Sequence, residues 1–243
     1  MKKKFRINLF FLTLISTFCT ASDCVALLHG MVHTASPMEK MAVAFSAQGY
    51  TVANVDYSSR DHPIDNLAPL AIKKGISSCS DAKTIHVVPH SLGGTLLRYY
   101  LHHHDIPNLG RVVMHAPPNP GSEVVDALKN LPGFALLNGP ASAQLGTDTA
   151  SIPLTLGPVD FEVGIIAGTE SINLILSQFL PNPDDDKVSV ENTKVAGMQD
   201  FITVPHSHPF IMQMPAAIEQ SLDFIKTGKF LHDTDVGFLK ASE

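Results

Sequence analysis

The stretch Ile85-His-Val-Val-Pro-His-Ser-Leu-Gly-Gly94 decides how this chain folds. Its first half is an apolar, β-branched run that predicts a buried strand, whereas residues 92–103 have the character of a helix. Ser91 therefore lies on a sharp turn between a strand and a helix. A serine held there projects its hydroxyl away from the sheet, and the helix N-terminus faces an oxygen that becomes negative during acyl transfer. Ser91 is thus a candidate nucleophile.

This turn departs from the usual Gly-x-Ser-x-Gly pattern, because Pro89 stands at the first glycine position. Proline cannot donate to a sheet ladder, so Pro89 is predicted to be the last residue of its strand, where pairing ends. Gly93 removes a side chain that would crowd the turn. The short motif also fits an ordinary Ser-Gly turn. The flanking strand and helix, together with His29-Gly30 upstream, favour a nucleophile.

Strand and helix patterns alternate on both sides of this motif. One helix is predicted to begin with a capping box between Ser36 and Glu39, and another is predicted to end at Gly75. Strands separated by helices imply a mostly parallel sheet of about six strands with helices on both faces. The predicted strands are residues 24–29, 50–55, 84–88, 111–115, 163–167 and 201–204, and the clearest helices are residues 36–48, 63–74, 92–103 and 215–226.

The segment between the fourth and fifth predicted strands lacks this regularity. Residues 117–160 are rich in proline, glycine, serine and alanine, and only residues 124–128 have a helical pattern. Such a segment is expected to drape over the rim of a pocket rather than to form a large cap domain. Its apolar residues either line that pocket or pack the loop onto the core: Leu131, Phe134, Leu136 and Leu137.

The length and composition favour one globular domain preceded by a leader. The chain has 243 residues, of which 44 % are hydrophobic and 16 % are charged. Residues 1–21 combine a basic start, an apolar run and a small-residue end, which is the pattern of a secretory signal peptide. A membrane anchor is the competing interpretation, but the apolar run is shorter than the roughly 20 residues that a spanning helix needs. Residues 22–243 are therefore the expected mature domain, exported to the periplasm or secreted.

A lipid-modified cysteine is a third interpretation of the leader. That processing requires a small residue before the cysteine, whereas Cys19 follows Phe18 and Cys24 follows Asp23. The residues that precede the two cysteines therefore disfavour a lipid anchor.

Removal of the leader would make the chain strongly acidic. The full chain has 17 basic and 23 acidic residues, and four of the basic ones lie in the leader. The mature domain would then carry 13 basic residues against 23 acidic ones, a net charge of −10 with neutral histidines. Nucleic-acid binding requires a basic surface, so this composition excludes nucleic acid as a partner.

Several segments resemble a known family. Leu27-Leu-His-Gly-Met31, His90-Ser-Leu-Gly-Gly94 and a late histidine are similar to the α/β-hydrolase lipases and esterases. Asn54-Val-Asp-Tyr-Ser-Ser-Arg60, Ala116-Pro-Pro-Asn-Pro-Gly-Ser122 and Ile166-Ala-Gly-Thr169 resemble small bacterial lipase-like members. The resemblance implies a single-domain α/β-hydrolase fold and hydrolysis of a lipid ester or another carboxylic ester through an acyl-enzyme, without a cofactor. Thioester hydrolysis, acyl transfer and a degenerate binding protein are alternatives on the same fold.

The resemblance also implies a Ser-His-Asp triad in which the acid and the base follow the serine in sequence. His208 matches the family position before a short C-terminal helix, and His206 remains an alternative. The acid is expected in a run of three aspartates after the fifth predicted strand, where Asp185 best fits the family spacing. Asp184 and Asp186 remain alternatives, because Asp186 stands where a glycine is common.

The oxyanion hole is assigned by the same resemblance to the backbone N–H groups of Met31 and Leu92, which follow the His-Gly turn and the nucleophile. Each such donor typically contributes about 3 to 4 kcal/mol. His29 is expected to brace this turn, and His90 to lie beside the nucleophile. The run His102-His103-His104 is expected to be a solvated helix end rather than a metal site, because no complementary cysteine or carboxylate spacing accompanies it.

Two cysteines remain after the leader, Cys24 and Cys79, and an oxidising compartment permits their pairing. Cys24 opens the first predicted strand, and Cys79 precedes the strand that leads to Ser91. In the α/β-hydrolase fold these two strands are expected to be neighbours. The thiols are therefore expected to form a disulfide at the end of the sheet opposite Ser91, the alternative being two unrelated buried thiols.

Overall fold

The computed structural model describes residues 22–32 and 34–232, so the predicted leader at residues 1–21 lies outside the described residues. Its strands are β1 (Cys24–Leu28), β2 (Thr51–Val55), β3 (Ile85–Pro89), β4 (Leu109–His115), β5 (Val163–Gly168) and β6 (Asp200–Val204). They form one six-stranded sheet in the order β2-β1-β3-β4-β5-β6. All neighbouring strands are parallel, which confirms the predicted sheet.

Helices cover both faces of this sheet, as the alternating pattern predicts. The helices are α1 (Glu39–Ala47), α2 (Ile64–Ser78), α3 (Leu92–His103), α4 (Glu123–Leu128), α5 (Phe134–Asn138), α6 (Ile152–Thr155), α7 (Leu174–Ser177), α8 (Val190–Thr193) and α9 (Pro215–Thr227). Helices α1 and α9 pack together on one face, and α2 and α3 pack together on the other. Within the described residues, the structure contains no helix with the length and apolar character needed to cross a membrane.

The central strands are buried on both faces, which explains why their sequences are continuous apolar runs. Every residue of β1 is buried. Val25 and Leu27 pack with the core under α1 and α9, whereas Ala26 and Leu28 pack with the core under α2 and α3. A strand covered by helices on both sides needs apolar residues at successive positions rather than at alternate ones. Full burial of each large side chain contributes about 1.5 to 3 kcal/mol.

The chain order of the strands creates a crevice at one edge of the sheet. From β1 the chain passes to β2 on one side, and it then returns to β3 on the other side of β1. The connection after β1 therefore runs to one side of the sheet, whereas the connection after β3 runs to the other side. Ligands of open parallel sheets bind at such a switch point, at the carboxyl ends of the strands. Gly30 and Ser91 both lie at this point.

The predicted capping box at the start of α1 is wrong. Residues Ser36–Met38 form a 3-10 turn, and neither that turn nor α1 has a side-chain cap. The carboxylate of Glu39 instead accepts a hydrogen bond from Asn54 Nδ2 at 3.3 Å. A long-range contact with the residue before the end of β2 thus replaces the predicted local one.

The predicted end of α2 at Gly75 is also wrong, because the helix continues to Ser78. A Cβ atom on Gly75 would lie 3.2 Å from Val55 Cγ2 and 3.4 Å from Ala26 Cβ. This glycine therefore allows close packing of α2 on β1 and β2, and it does not terminate the helix.

Cys24 and Cys79 form a disulfide, as predicted, with their Cα atoms 5.7 Å apart. The bridge joins the start of β1 to the residue after α2 and lies at the end of the sheet opposite Ser91. It closes a loop with a sequence separation of 55. Closure of a loop of this length stabilises a fold by about 4 kcal/mol in the chain-entropy model.

Candidate active site

Ser91 lies on the turn that joins β3 to α3, in the predicted place. Its φ of 51° and ψ of −119° form a conformation that residues other than glycine rarely adopt. Backbone hydrogen bonds fix the turn to both neighbouring strands: Ser91 N–H donates to His115 O at 2.9 Å, and His90 N–H donates to Leu28 O at 2.8 Å. Pro89 is the last residue of β3, as predicted, and it has no N–H group to donate to the sheet.

Two glycines let the loop after β1 approach this turn closely. A Cβ atom on Gly93 would lie 2.9 Å from Leu28 O, which is closer than real Cβ atoms come to a backbone oxygen. A Cβ atom on Gly30 would lie 2.8 Å from His90 Nδ1 and 3.2 Å from Ser91 Cβ. The loop after β1 and the serine turn are therefore in contact across a space that admits no side chain.

His208 connects Ser91 to Asp185 through its two ring nitrogens. His208 Nε2 lies 2.8 Å from Ser91 Oγ, and Nδ1 lies 2.8 Å from Asp185 Oδ2. The remaining carboxylate oxygen, Oδ1, accepts the backbone N–H groups of Lys187 at 3.1 Å and Val188 at 2.9 Å. Both distances at the imidazole fall within the range required for proton transfer. Asp185 has no solvent exposure, so its charge acts on the imidazole without screening by water.

The other predicted candidates lie elsewhere. Asp184 accepts hydrogen bonds from two serine hydroxyls, and Asp186 Oδ1 accepts the backbone N–H of Asn173 at 2.6 Å. The ring of His206 makes no hydrogen bond with any residue that the structure describes. Of the three aspartates and two histidines, the structure therefore brings Asp185 and His208 to the serine.

The predicted oxyanion donors lie beside Ser91. Met31 lines the same cavity as Ser91, and Leu92 is the first residue of α3. Neither backbone N–H group donates to an acceptor in the described parts of the chain. The first N–H groups of a helix have no partner within that helix, so Leu92 is free to donate to a bound oxygen.

His29 braces the loop that carries Met31. Its ring stacks on Tyr57, with 4.0 Å between the ring centroids. Its Nε2 atom accepts the Tyr57 backbone N–H at 3.3 Å, which leaves the proton on Nδ1 to be donated to Gly30 O at 2.8 Å. The Tyr57 hydroxyl donates to His29 O. Burial lowers the pKa of His29, so the ring is neutral and holds the loop without carrying charge.

A cavity of about 460 Å³ opens beside Ser91 and is mainly apolar. Of the residues predicted to line it, only Phe134 does so; Leu131, Leu136 and Leu137 lie outside the lining and are more than half exposed. Helix α5 is only five residues long, and it turns Phe134 inward and the two leucines outward. The apolar lining includes Met31, Val32, Val124, Val125, Leu128, Phe134, Leu145, Ile172, Leu176 and Val188, and the polar lining includes Asn138, Asn173, Asp186 and Lys187.

Solved structures share this arrangement of sheet and helices. The mature form of the lipase BlEst2 from Bacillus licheniformis matches with a TM-score of 0.66 over 86 % of this chain and 92 % of that one, at 16 % identity. An extracellular α/β-hydrolase from a Paenibacillus species matches with a TM-score of 0.55 over 83 % of this chain and 97 % of that one, at 15 % identity. The chain has the α/β-hydrolase fold.

A third solved structure matches over only part of its own length. Phospholipase PlaB from Legionella pneumophila matches with a TM-score of 0.63 at 17 % identity, over 91 % of this chain but 58 % of that protein. All three structures share the α/β-hydrolase fold with this chain. No protein-family model matches the sequence, and no curated protein is detectably similar to it.

The structure also reveals a buried residue that supports this α/β-hydrolase site and that the sequence analysis missed. Arg98 donates to Asn119 O at 2.6 Å and to Gly157 O at 2.6 Å, and so it joins α3 to both ends of the connection between β4 and β5. Burial lowers the pKa of Arg98 to about 10, and the group remains charged near neutral pH. An arginine within the apolar helix that follows the serine was the available signal.

Proposed function

We propose that this chain is a serine hydrolase that cleaves carboxylic esters through an acyl-enzyme. Ser91 is the nucleophile, His208 the general base and Asp185 the acid of the triad. The observation that carries the proposal is the unbroken path from Asp185 through His208 to Ser91, with both contacts at 2.8 Å, beside an apolar cavity.

The proposed reaction moves one proton back and forth at His208 Nε2. Ser91 Oγ attacks the ester carbonyl carbon, and its proton passes to Nε2. The carbonyl oxygen becomes negative and is stabilised by the N–H groups of Met31 and Leu92. His208 then protonates the leaving alcohol, which gives the acyl-enzyme. A water molecule attacks the acyl carbon by the same path, releases the carboxylic acid and restores Ser91.

Asp185 has two tasks in this reaction. Its Oδ2 atom holds the proton on His208 Nδ1, so that Nε2 is the atom that faces the serine. Its negative charge stabilises the imidazolium that forms during each attack. The two backbone N–H groups on Oδ1 fix the carboxylate plane, so that the imidazole is already oriented before substrate binds.

The apolar cavity supports an ester with an acyl chain of several carbons as substrate. Each buried methylene contributes about 0.8 kcal/mol, which corresponds to roughly a fourfold rise in kcat/KM per carbon until the cavity is filled. The chemistry needs no cofactor, because the triad and the two N–H groups supply both the nucleophile and the charge stabilisation. Two structural neighbours are named a lipase and a phospholipase, which supports a lipid ester as the substrate class here.

We also infer that the chain is exported, with residues 1–21 as a cleaved leader and residues 22–243 as the mature domain. The disulfide supports this inference, because such bonds persist in oxidising compartments.

A fluorophosphonate probe tests the proposed function directly, because it modifies an activated serine covalently. We expect the wild-type protein to be labelled and to hydrolyse p-nitrophenyl esters, and Ser91→Ala to do neither. Ser78→Ala is the matched control, since Ser78 is an exposed serine that bonds only to the backbone of its own helix. Equal ester hydrolysis by the wild type and Ser91→Ala would refute the assignment of the nucleophile.

A further inference from the structure

One side of the cavity is formed by residues 169–180, which follow β5 and precede the three aspartates; we call these residues the wall segment. Ile172, Asn173 and Leu176 of this segment line the cavity, together with residues of α4 and α5. The wall segment contains helix α7, which is a single turn. It therefore completes the apolar surface that faces the ester in the proposed reaction.

Apolar burial does not hold the wall segment in place. Ile172, Leu174 and Ile175 are 64 %, 72 % and 72 % exposed. Leu180, at the end of the segment, is buried. A segment with so few buried apolar side chains is expected to open easily unless polar contacts fix it.

Two buried carboxylates supply those polar contacts. Asp184 Oδ2 accepts the Ser177 hydroxyl at 2.6 Å, and Asp184 Oδ1 accepts the Ser171 hydroxyl. Asp186 Oδ1 accepts the Asn173 backbone N–H at 2.6 Å. Hydrogen bonds to an ionised acceptor are roughly twice as strong as neutral ones. Asp184 and Asp186 are almost completely buried, so these bonds are protected from water.

The backbone at Asp186 gives independent evidence for this role. Its φ is 86°, a conformation that residues with a side chain rarely adopt. Glycine would occupy this position with less strain but would offer no carboxylate to Asn173. Asp186 therefore makes its contact with Asn173 at a position where the backbone conformation favours glycine.

We propose that Asp184 and Asp186 determine acyl-chain specificity by holding the wall segment against the cavity, while Asp185 between them serves the triad. This inference rests on the proposed function. With the wall segment in place, a long acyl chain meets a continuous apolar surface. When the wall segment loosens, a long chain loses that surface, whereas an acetyl group, which does not reach it, is unaffected.

The variant Ser171→Ala/Ser177→Ala tests this proposal from the side of the wall segment and leaves all three aspartates unchanged. We expect the ratio of kcat/KM for p-nitrophenyl octanoate to that for p-nitrophenyl acetate to fall about tenfold. The rate of fluorophosphonate labelling at Ser91 is expected to stay within about twofold of the wild type, since neither serine touches the triad. Ser78→Ala/Ser80→Ala, two exposed serines near the disulfide, is the matched control and should keep the wild-type ratio.

Asp186→Gly provides a second variant with a different backbone effect. It removes the acceptor for Asn173 but relieves the strained φ, so the melting temperature should not fall while the octanoate-to-acetate ratio does. An unchanged ratio in both variants would overturn the proposal. An equal loss of kcat/KM for both esters, together with slower labelling of Ser91, would also overturn it. That pattern would mean that the substitutions act on the triad.

Hydrogen exchange separates this proposal from the proposed function. The backbone N–H groups of residues 173–180 should exchange faster in Ser171→Ala/Ser177→Ala than in the wild type, while those of β3 are unchanged. Unchanged exchange in these residues would overturn the proposal even if the activity altered. A wild-type protein that hydrolyses no ester would refute the proposed function, and the exchange measurement would still decide whether the two carboxylates hold the wall segment.

Discussion

At the residue scale, Ser91 keeps a strained backbone conformation because hydrogen bonds to neighbouring strands fix the turn on which it lies. Conformations of this kind typically cost about 1 to 3 kcal/mol. The bonds of its N–H to His115 O and of His90 N–H to Leu28 O fix the turn at both ends. The strained backbone aims the hydroxyl at His208 before substrate arrives. In the proposed reaction, the free energy of orienting Ser91 is thus supplied by folding and is not required in each cycle.

The two late histidines form a natural pair for mutation. We expect His208→Ala to lower kcat/KM for p-nitrophenyl butyrate by about a thousandfold or more, because members of a triad act as one unit. His206→Ala should retain most of the activity, since Ser91 and Asp185 are both already bonded to His208. Steady-state kinetics on the two purified variants provides the measurement. Loss of activity in His206→Ala alone would reverse the assignment of the base.

A buried histidine next to the turn that carries Ser91 should make the fold sensitive to acid. Burial lowers the pKa of His115 to about 3, and its Nε2–H donates to Ser221 Oγ at 2.8 Å. The unfolded chain protonates this histidine below its ordinary pKa of 6.5, but the folded chain does not. Stability is therefore complete above pH 6.5 and falls as the pH decreases towards 3, by about 2 kcal/mol from this residue at pH 5.

The variant His115→Gln isolates this contribution. Its amide can still donate to Ser221 but does not titrate, so the free energy of unfolding should fall less between pH 7 and pH 5 than in the wild type. Urea unfolding at the two pH values measures the difference. An identical pH dependence in both proteins would show that His115 is not the source.

At the element scale, the sequence predicts regular elements well and the cavity walls poorly. The predicted helix over residues 92–103 agrees with α3, because apolar periodicity and the preceding strand both mark it. Gly75 carries the local signal of a helix end, but a glycine needed for close packing produces the same signal. Helices α5 and α7 have five and four residues, too few for any periodicity. Their orientation depends on contacts such as Ser177 with Asp184, which are tertiary.

Sequence likewise identifies some residues of the candidate active site better than others. Ser91 follows a strand and is marked by a local motif, whereas Asp185 is separated from Asp184 and Asp186 only by its resemblance to the family spacing. Asp185 is distinguished by its contact with His208, which depends on how the chain folds back after β6. Such a contact is not encoded in the spacing of the three residues.

Substitution by alanine should destabilise the protein much more at Gly93 than at Gly75, although both glycines lie in helices. In Gly93→Ala the new Cβ would lie 2.9 Å from the backbone oxygen of Leu28, so the serine turn must shift, at a cost of about 1 to 3 kcal/mol. In Gly75→Ala the Cβ would meet only side chains, at 3.2 Å or more, and helix propensity would offset up to about 1 kcal/mol of crowding. The melting temperature, measured by thermal unfolding, and the rate of Ser91 labelling should both decrease in Gly93→Ala. A Gly93→Ala variant as stable and reactive as Gly75→Ala would contradict the close approach of β1.

At the scale of the whole molecule, the disulfide and the candidate active site lie at opposite ends of β1 and β3. Cys24→Ser/Cys79→Ser should lower the free energy of unfolding by about 4 kcal/mol. Labelling of Ser91 well below the melting temperature should remain close to the wild-type rate, because the bridge lies at the other end of β1 and β3. Chemical denaturation with and without a reductant checks the first expectation. A large loss of labelling in a folded double variant would show that the two ends are coupled.

The cavity beside Ser91 has an exposed border, since Val32 and Ile172 line it and are 47 % and 64 % exposed. A reaction site that is already open to solvent requires no oil–water boundary to uncover it. Initial rates on a soluble p-nitrophenyl ester should therefore follow a simple hyperbola from the lowest concentrations, with no lag phase. The rate should also pass through the solubility limit of the ester without a break. A sharp increase at that limit would mean that part of the rim covers the serine in free solution.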